Sequence, residues 1–148
     1  MKTLQLDNEI WDLVLDGAGN IATASEPASI LQDVCSAIRT FLGEVWYDTT
    51  DGVDYDQILG RYPSQQFLKS QIETAAESVP DVTSATCIIT AQAGRSVTGQ
   101  VQITYTVTDA ATGISTAQTA LITFIGNNGG AVTFTGANGL PLDFVGAL

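Results

Sequence analysis

Ile30, Leu31, Val34, Cys35, Ile38, Phe41 and Leu42 recur at steps of three and four, the spacing that lines one face of an α-helix. Ser25 stands where it can cap that helix. Glu26 falls in the first turn against the dipole, Pro27 is tolerated there, and Gly43 stops the helix. The opposite face carries Gln32, Asp33, Ser36 and Arg39. A second stripe, of Phe67, Leu68, Ile72, Ala75, Ala76 and Val79, runs from a Ser64 cap to a Pro80 stop. Its exposed face has Lys69, Glu73 and Glu77, with Lys69 and Glu73 at pairing distance in the weaker orientation.

From Val82 the period shortens to two. Val101, Ile103, Tyr105 and Val107 point inward between Gln102, Thr104, Thr106 and Thr108. Flanking runs at 82–94 and 114–126, with a turn at 109–113, complete an antiparallel meander with one face on the helices. Ahead of the first helix, Ile10, Leu13 and Leu15 alternate with acids before the turn signal "DGAGN" at 16–20, a short hairpin or extended arm. Behind the sheet, Val132, Phe134, Leu140, Leu142, Phe144 and Val145 sit among Gly and Asn, too apolar for a structureless linker. That tail is either an arm that packs on a neighbour or joins a foreign sheet, or an extra hairpin on its own domain. The expected fold is α+β: two helices packed on a small antiparallel β-sheet, with extended N- and C-terminal arms. Residues 1–125 form the domain and 126–148 the arm or hairpin.

Composition narrows the function. Hydrophobic residues make up 45% of the 148, enough for one sizeable core. Charged residues make up only 14%, against roughly 25% in an average globular domain. So neutral a surface suits a protein covered by partners; secreted β domains look similar. Five basic residues against 16 acidic ones give a net charge of -11, which repels phosphate backbones and anionic lipid surfaces. Neither nucleic acid nor membrane is an expected partner. No apolar run approaches the roughly 18 residues of a membrane helix, and the N-terminus carries acids in place of an apolar signal core. The reading is a soluble protein made and kept in a cytoplasm until assembled or released. Cys35 and Cys87 lie in apolar patterns, as buried thiols or a Cys35–Cys87 disulfide. With no histidine, a zinc site finds no support.

The stretch "LGEVWYDTTDGVDYDQILG" at 42–60 concentrates candidate chemistry. It holds Glu44, Asp48, Asp51, Asp54 and Asp56 with Trp46, Tyr47 and Tyr55. An EF-hand needs glycine at position six and glutamate at twelve. With Gly52 sixth, Tyr47 would be first and Ile58 twelfth, so the pattern fails. An irregular cation site from Asp48, Asp51, Asp54 and Asp56 is the remaining metal reading. An acid pair could hydrolyse glycosidic bonds, yet the chain has no histidine base, no G-x-S-x-G elbow and no useful S-x-x-K. "DGAGN" lacks the residues of a phosphate-binding loop and reads as a turn. No cofactor and no catalytic residue is expected. Trp46, Tyr47 and Tyr55 are instead interface-anchoring types among acids that would meet a basic partner. Trp46 and Tyr55 could equally fold back as core. Gly52 and Gly60 read as turn glycines.

The order of these elements, "ILQDV" to "AIRTFLGE" on a helix, "DGVDY" before Ile58-Leu59-Gly60, and a helix closing in "AAESVPDV", resembles the sheath-initiator wedge proteins of contractile-tail baseplates. This is the family of the T-even phage wedge component once described as a tail lysozyme, with relatives in tailocins and type VI secretion systems. The resemblance rests on Gln32, Ile38, Arg39, Thr40, Gly43, Glu44, the loop, Ala75, Ala76 and Val82, across roughly residues 5–110. It implies a structural virion protein that joins the baseplate to the first sheath ring and offers a sheet edge to sheath arms. Implied partners are the tail sheath protein, other wedge proteins and central hub, spike or tube proteins, with about six copies in a ring. The family's Glu-Pro-Arg signature falls on Val79-Pro80-Asp81, which keeps the proline and neither charge. The expected partner interface is Glu44, Trp46, Tyr47, Asp48, Asp51, Asp54, Tyr55, Asp56, Pro80 and Asp81. The alternatives from the residues are a secreted or surface β-rich binding module and an acid-pair hydrolase.

Overall fold

The alternation at 101–107 becomes the middle of a sheet. A computed structural model of the chain describes residues 2–7, 10–58, 64–93, 96–126 and 132–135. In it, β3 (Val82–Ala93), β4 (Ser96–Thr108), β5 (Ser115–Gly126) and β6 (Val132–Thr135) form an antiparallel sheet in the order β3-β4-β5-β6. Val101, Ile103 and Tyr105 are buried, while Gln102 and Thr108 face water. The β4–β5 register runs without a break from Val97↔Gly126 to Thr108↔Ser115. At its tight end Asp109 accepts the Ala111 N–H at 2.9 Å and the Thr112 hydroxyl at 2.8 Å. These bonds, the Ala111 N–H foremost, hold the Asp109 carboxyl below its ordinary value.

Helices α1 (Ala28–Arg39) and α3 (Gln65–Glu77) contribute Leu31, Val34, Cys35, Ile38, Leu68, Ile72 and Ala76 to one core with Ala85, Cys87, Val101, Ile103, Ile122 and Phe124. Ser64 caps α3 as expected, accepting the Phe67 N–H at 3.2 Å. The cap expected for α1 is different. Pro27 takes the capping position with no side-chain bond, and Ser25 offers only its carbonyl, to the Ser29 N–H at 3.0 Å. A residue before proline is disfavoured in helical conformation, so Glu26 stays outside. The helix also ends earlier than its apolar spacing suggests. Thr40 is extended, its carbonyl accepts the Val53 N–H at 2.9 Å, and Phe41 bridges to Val53. Tertiary hydrogen bonds there replace the next helical turn.

The N-terminal hairpin forms as β1 (Thr3–Leu4) against β2 (Thr23–Ala24), with bridges Leu6↔Leu13 and Leu15↔Ile21. Asp16 closes the 16–20 turn by accepting the Ala18 and Asn20 N–H groups, each at 2.9 Å. This arm corrects the expected outer face of α1. Gln32 is 3% exposed; its amide nitrogen donates to the Leu4 carbonyl at 2.7 Å and its oxygen accepts the Leu6 N–H at 2.9 Å. A primary amide presents an N–H donor and a carbonyl acceptor side by side, which matches the outward edge of the Leu4–Leu6 segment. Trp11 lies over the Arg39 guanidinium at 4.6 Å from the ring centre. Cys35 and Cys87 are both free and buried. Burial pushes the Cys35 thiol up, opposed by Arg39.

Of the tail, 132–135 pairs with β5, while the expected apolar run of Leu140, Leu142, Phe144 and Val145 lies outside the described residues, as does Gly60.

Candidate functional site

The acidic loop hangs from the end of α1 on two backbone bonds, Val53 N–H to Thr40 O and Leu42 N–H to Val53 O, both 2.9 Å. Gly52 makes this closure possible. Its φ is +107°, and a Cβ there would stand 2.8 Å from the Thr40 oxygen and from the Phe41 carbonyl carbon and oxygen. Val53 is fully buried behind it. Tyr55 opens a one-turn helix, α2 (Tyr55–Ile58), within the 42–60 stretch. Its ring centre lies 4.8 Å from that of Phe41, and its hydroxyl donates to the Ile38 carbonyl. Burial, opposed by Arg39, pushes this phenol up to about 12. Tyr55 was expected to anchor an interface; at 7% exposed it belongs to the core.

Trp46 and Tyr47 take the opposite course. They are 87% and 77% exposed and touch edge to face, with ring centres 5.5 Å apart. Leu42 is exposed nearby in the chain. The carboxylates around them largely serve the loop itself. Glu44 accepts the Phe41 N–H at 3.0 Å. Asp48 accepts the Thr50 hydroxyl at 2.7 Å and its N–H at 3.1 Å, which hold the Asp48 carboxyl below its ordinary value. Asp51 accepts the Gly52 N–H at 3.1 Å. Asp54 accepts the Gln57 N–H at 3.2 Å and the Gln57 side-chain amide, closing the start of α2. Asp56 is exposed. Each engaged acid thus satisfies backbone donors that a tight loop leaves over. Among the described residues, no group of three or more His, Cys, Asp or Glu side chains is placed to hold a metal ion. Pro80 and Asp81 sit apart in the chain, in the exposed α3–β3 connection, where Asp81 has a φ of 71° and its carbonyl accepts the Thr106 N–H at 2.9 Å.

The sheet offers a second candidate, its edges. Glu73, expected to face solvent and pair with Lys69, accepts the Cys87 N–H at 2.7 Å; Glu77 accepts the Ala85 N–H at 3.0 Å. The Cys87 thiol is pushed up to about 11 by burial first and by the Glu73 carboxylate second, with Lys69 opposing. These two N–H groups therefore point away from β4. Strand alternation carries the phase across the sheet. Gln102, Thr104 and Thr106 face β3, as the Thr106 bond to Asp81 agrees. Val101, Ile103, Tyr105 and Val107 face β5 and pair with Ile122, Ala120, Gln118 and Thr116. The outward groups of β5 are then those of Ser115, Ala117, Thr119, Leu121, Thr123 and Ile125. β6 pairs only with residues 123–126. Among the described residues, nothing pairs with the outward N–H and C=O groups at 115–121. Natural edges are usually blunted with lysine, proline or a bulge; "STAQTAL" has none of these. The exposed Thr and Ser of the meander were legible as sequence, but the phase of the ladder was not.

A family model described as "contractile injection system sheath initiator" matches residues 2–110. The matched stretch takes in the arm, the helices, the acidic loop, β3 and β4. No curated protein matches the chain.

Proposed function

The chain belongs to the contractile injection system sheath initiator family, and from that membership we propose that it is a baseplate wedge component joining the baseplate to the first ring of the tail sheath. The coarser role, a structural part in starting the sheath, comes with the family itself. The observation that carries the finer one is the edge of β5, whose outward groups at 115–121 have no partner among the described residues. An extended arm from a sheath subunit would add to the sheet there, donors and acceptors of Ser115, Ala117, Thr119 and Leu121 meeting its backbone. Main-chain pairing tolerates sequence change on either side, which suits a joint between two polymers.

The Trp46–Tyr47 tip is the surface we assign to a neighbouring baseplate protein, whether another wedge subunit or the hub, spike or tube. Exposed aromatics are the residue types that dominate interfaces. No Lys or Arg occurs between 42 and 60, so a partner segment with basic residues fits best. Asp56, Glu44, Asp48 and Asp51 are exposed at this loop; Glu44, Asp48, Asp51 and Asp54 also accept hydrogen bonds within it. About six copies would close a ring around the hub. The protein acts in this reading without catalysis, as a part of the virion baseplate.

Double replacement of Trp46 and Tyr47 by alanine is expected to leave the melting temperature within about 2 °C of the parent, since neither ring is buried. Incorporation into baseplates, measured by quantitative blotting of purified particles, is expected to fall. A large loss of stability would instead assign the pair to the core. The function as a whole is tested by negative-stain imaging of tailed particles lacking the protein. Tubes or baseplates without sheath are expected; sheaths of normal length that contract would overturn the proposal.

A further inference from the structure

The two edges of the sheet are treated differently. Among the described residues nothing pairs with the outward groups of β5 at 115–121, whereas on β3, the other edge, the outward donors of Ala85 and Cys87 are already taken. Glu73 and Glu77 are one helical turn apart on α3, about 6 Å along the axis. Ala85 and Cys87, two strand residues apart, present successive outward N–H groups about 6.6 Å apart. Glu73 reaches Cys87 and Glu77 reaches Ala85, so the helix runs antiparallel to the strand and the two spacings match. A carboxylate accepting a backbone N–H is the stronger, charge-assisted kind of bond. A strand arriving at β3 would have to displace both carboxylates and leave them beside its own carbonyl oxygens.

We propose that Glu73 and Glu77 form a two-tooth guard that closes the β3 edge to strand addition, so that the sheet is extended on one side only. The guarded reaction is pairing with a second copy of this chain, β3 against β3. This is the pairing most available to an exposed strand at high local concentration, as in a ring of copies. Ser84, Thr86, Ile88 and Thr90 on the solvent face of β3 carry no charge that would oppose such pairing, and Ile88 is 48% exposed. In an assembly that grows from one end, a closed second edge gives the starting piece a direction. The guard itself does not depend on what occupies β5.

The test uses the full chain carrying Thr119→Pro, which removes β5 as a pairing edge, with Glu73→Ala and Glu77→Ala added. Sedimentation velocity is expected to show a folded dimer, with the Ala85 and Cys87 amides protected from hydrogen exchange at high protein concentration and unprotected on dilution. The Glu73→Gln and Glu77→Gln pair keeps an accepting oxygen at each position and is expected to sediment like the parent, which separates the hydrogen bonds from loss of charge. A double alanine variant that melts cooperatively and sediments like the parent, with both amides exchanging freely, would overturn the guard. So would a glutamine pair that dimerises as readily as the alanine pair. Should the double alanine variant fail to fold, Glu77→Ala alone, at the exposed end of α3, is read by the same two outcomes.

Discussion

Thr119→Pro is expected to leave the domain folded and to stop sheath assembly, while Gln118→Pro one residue earlier is expected to damage the fold. The difference is the direction of one N–H. Gln118 lies opposite Tyr105 in a hydrogen-bonded pair, so proline there removes a bond inside the β4–β5 ladder, a place where strands do not accommodate it. Thr119 points its N–H outward, where an edge strand tolerates proline. Its loss removes a donor that an incoming strand needs and places a ring in its path. A deficit of about 1.4 kcal/mol or more at that joint corresponds to at least roughly tenfold weaker binding. Circular dichroism with thermal melting checks the first half, and assembly on complemented baseplates checks the second. A larger melting loss in Thr119→Pro than in Gln118→Pro would mean that the ladder phase is the reverse of the one given above.

Gly52→Val is expected to cost much of the domain's stability. A φ of +107° is strained for any side chain and severely so for a β-branched one, and the added carbon would meet three backbone atoms at 2.8 Å. The chain must then give up the Thr40–Val53 and Leu42–Val53 bonds or move α1. Either exposes part of the buried Val53–Tyr55 packing. About 3 kcal/mol of stability is expected to go, or roughly 10 °C in Tm for a chain of this size. The Trp46–Tyr47 tip loses its fixed position at the same time, so incorporation into particles should fall with stability. A Gly52→Val variant that melts like the parent would show that the loop is not tied to α1 through this residue.

Much of this architecture is legible in the sequence. The 3.6-residue stripes of α1 and α3, the period-two run at Val101, Ile103 and Tyr105, and the turns at 16–20 and 109–113 are local patterns, and each folds accordingly. The misjudged features depend on contacts distant in sequence. Gln32 looked like a surface residue because nothing local announces the backbone of Leu4 and Leu6, 28 and 26 positions away. Glu73 and Glu77 looked like the wet side of an amphipathic helix, since polarity alone does not distinguish a carboxylate in water from one capping a strand edge. Tyr55 and Trp46 have the same interface character by residue type. Only the closure of the loop by Gly52 and Val53 sends one ring inward and leaves the other out. The acids at 44, 48, 51 and 54 drew attention as possible chemistry, and their role in the loop is to accept its spare N–H groups.

The sheet edge was legible only as a Thr-rich meander. Which groups of β5 point outward follows from the phase of the ladder, and that phase is read from the Glu73 and Glu77 bonds on β3, far from β5. Hydrogen exchange of the full chain, alone and with purified sheath protein, therefore tests the central claim most directly. The account predicts new protection at the amides of Ser115, Ala117, Thr119 and Leu121, with Ala85 and Cys87 unchanged. Binding of sheath protein that leaves those four amides exchanging as in the free chain would contradict it.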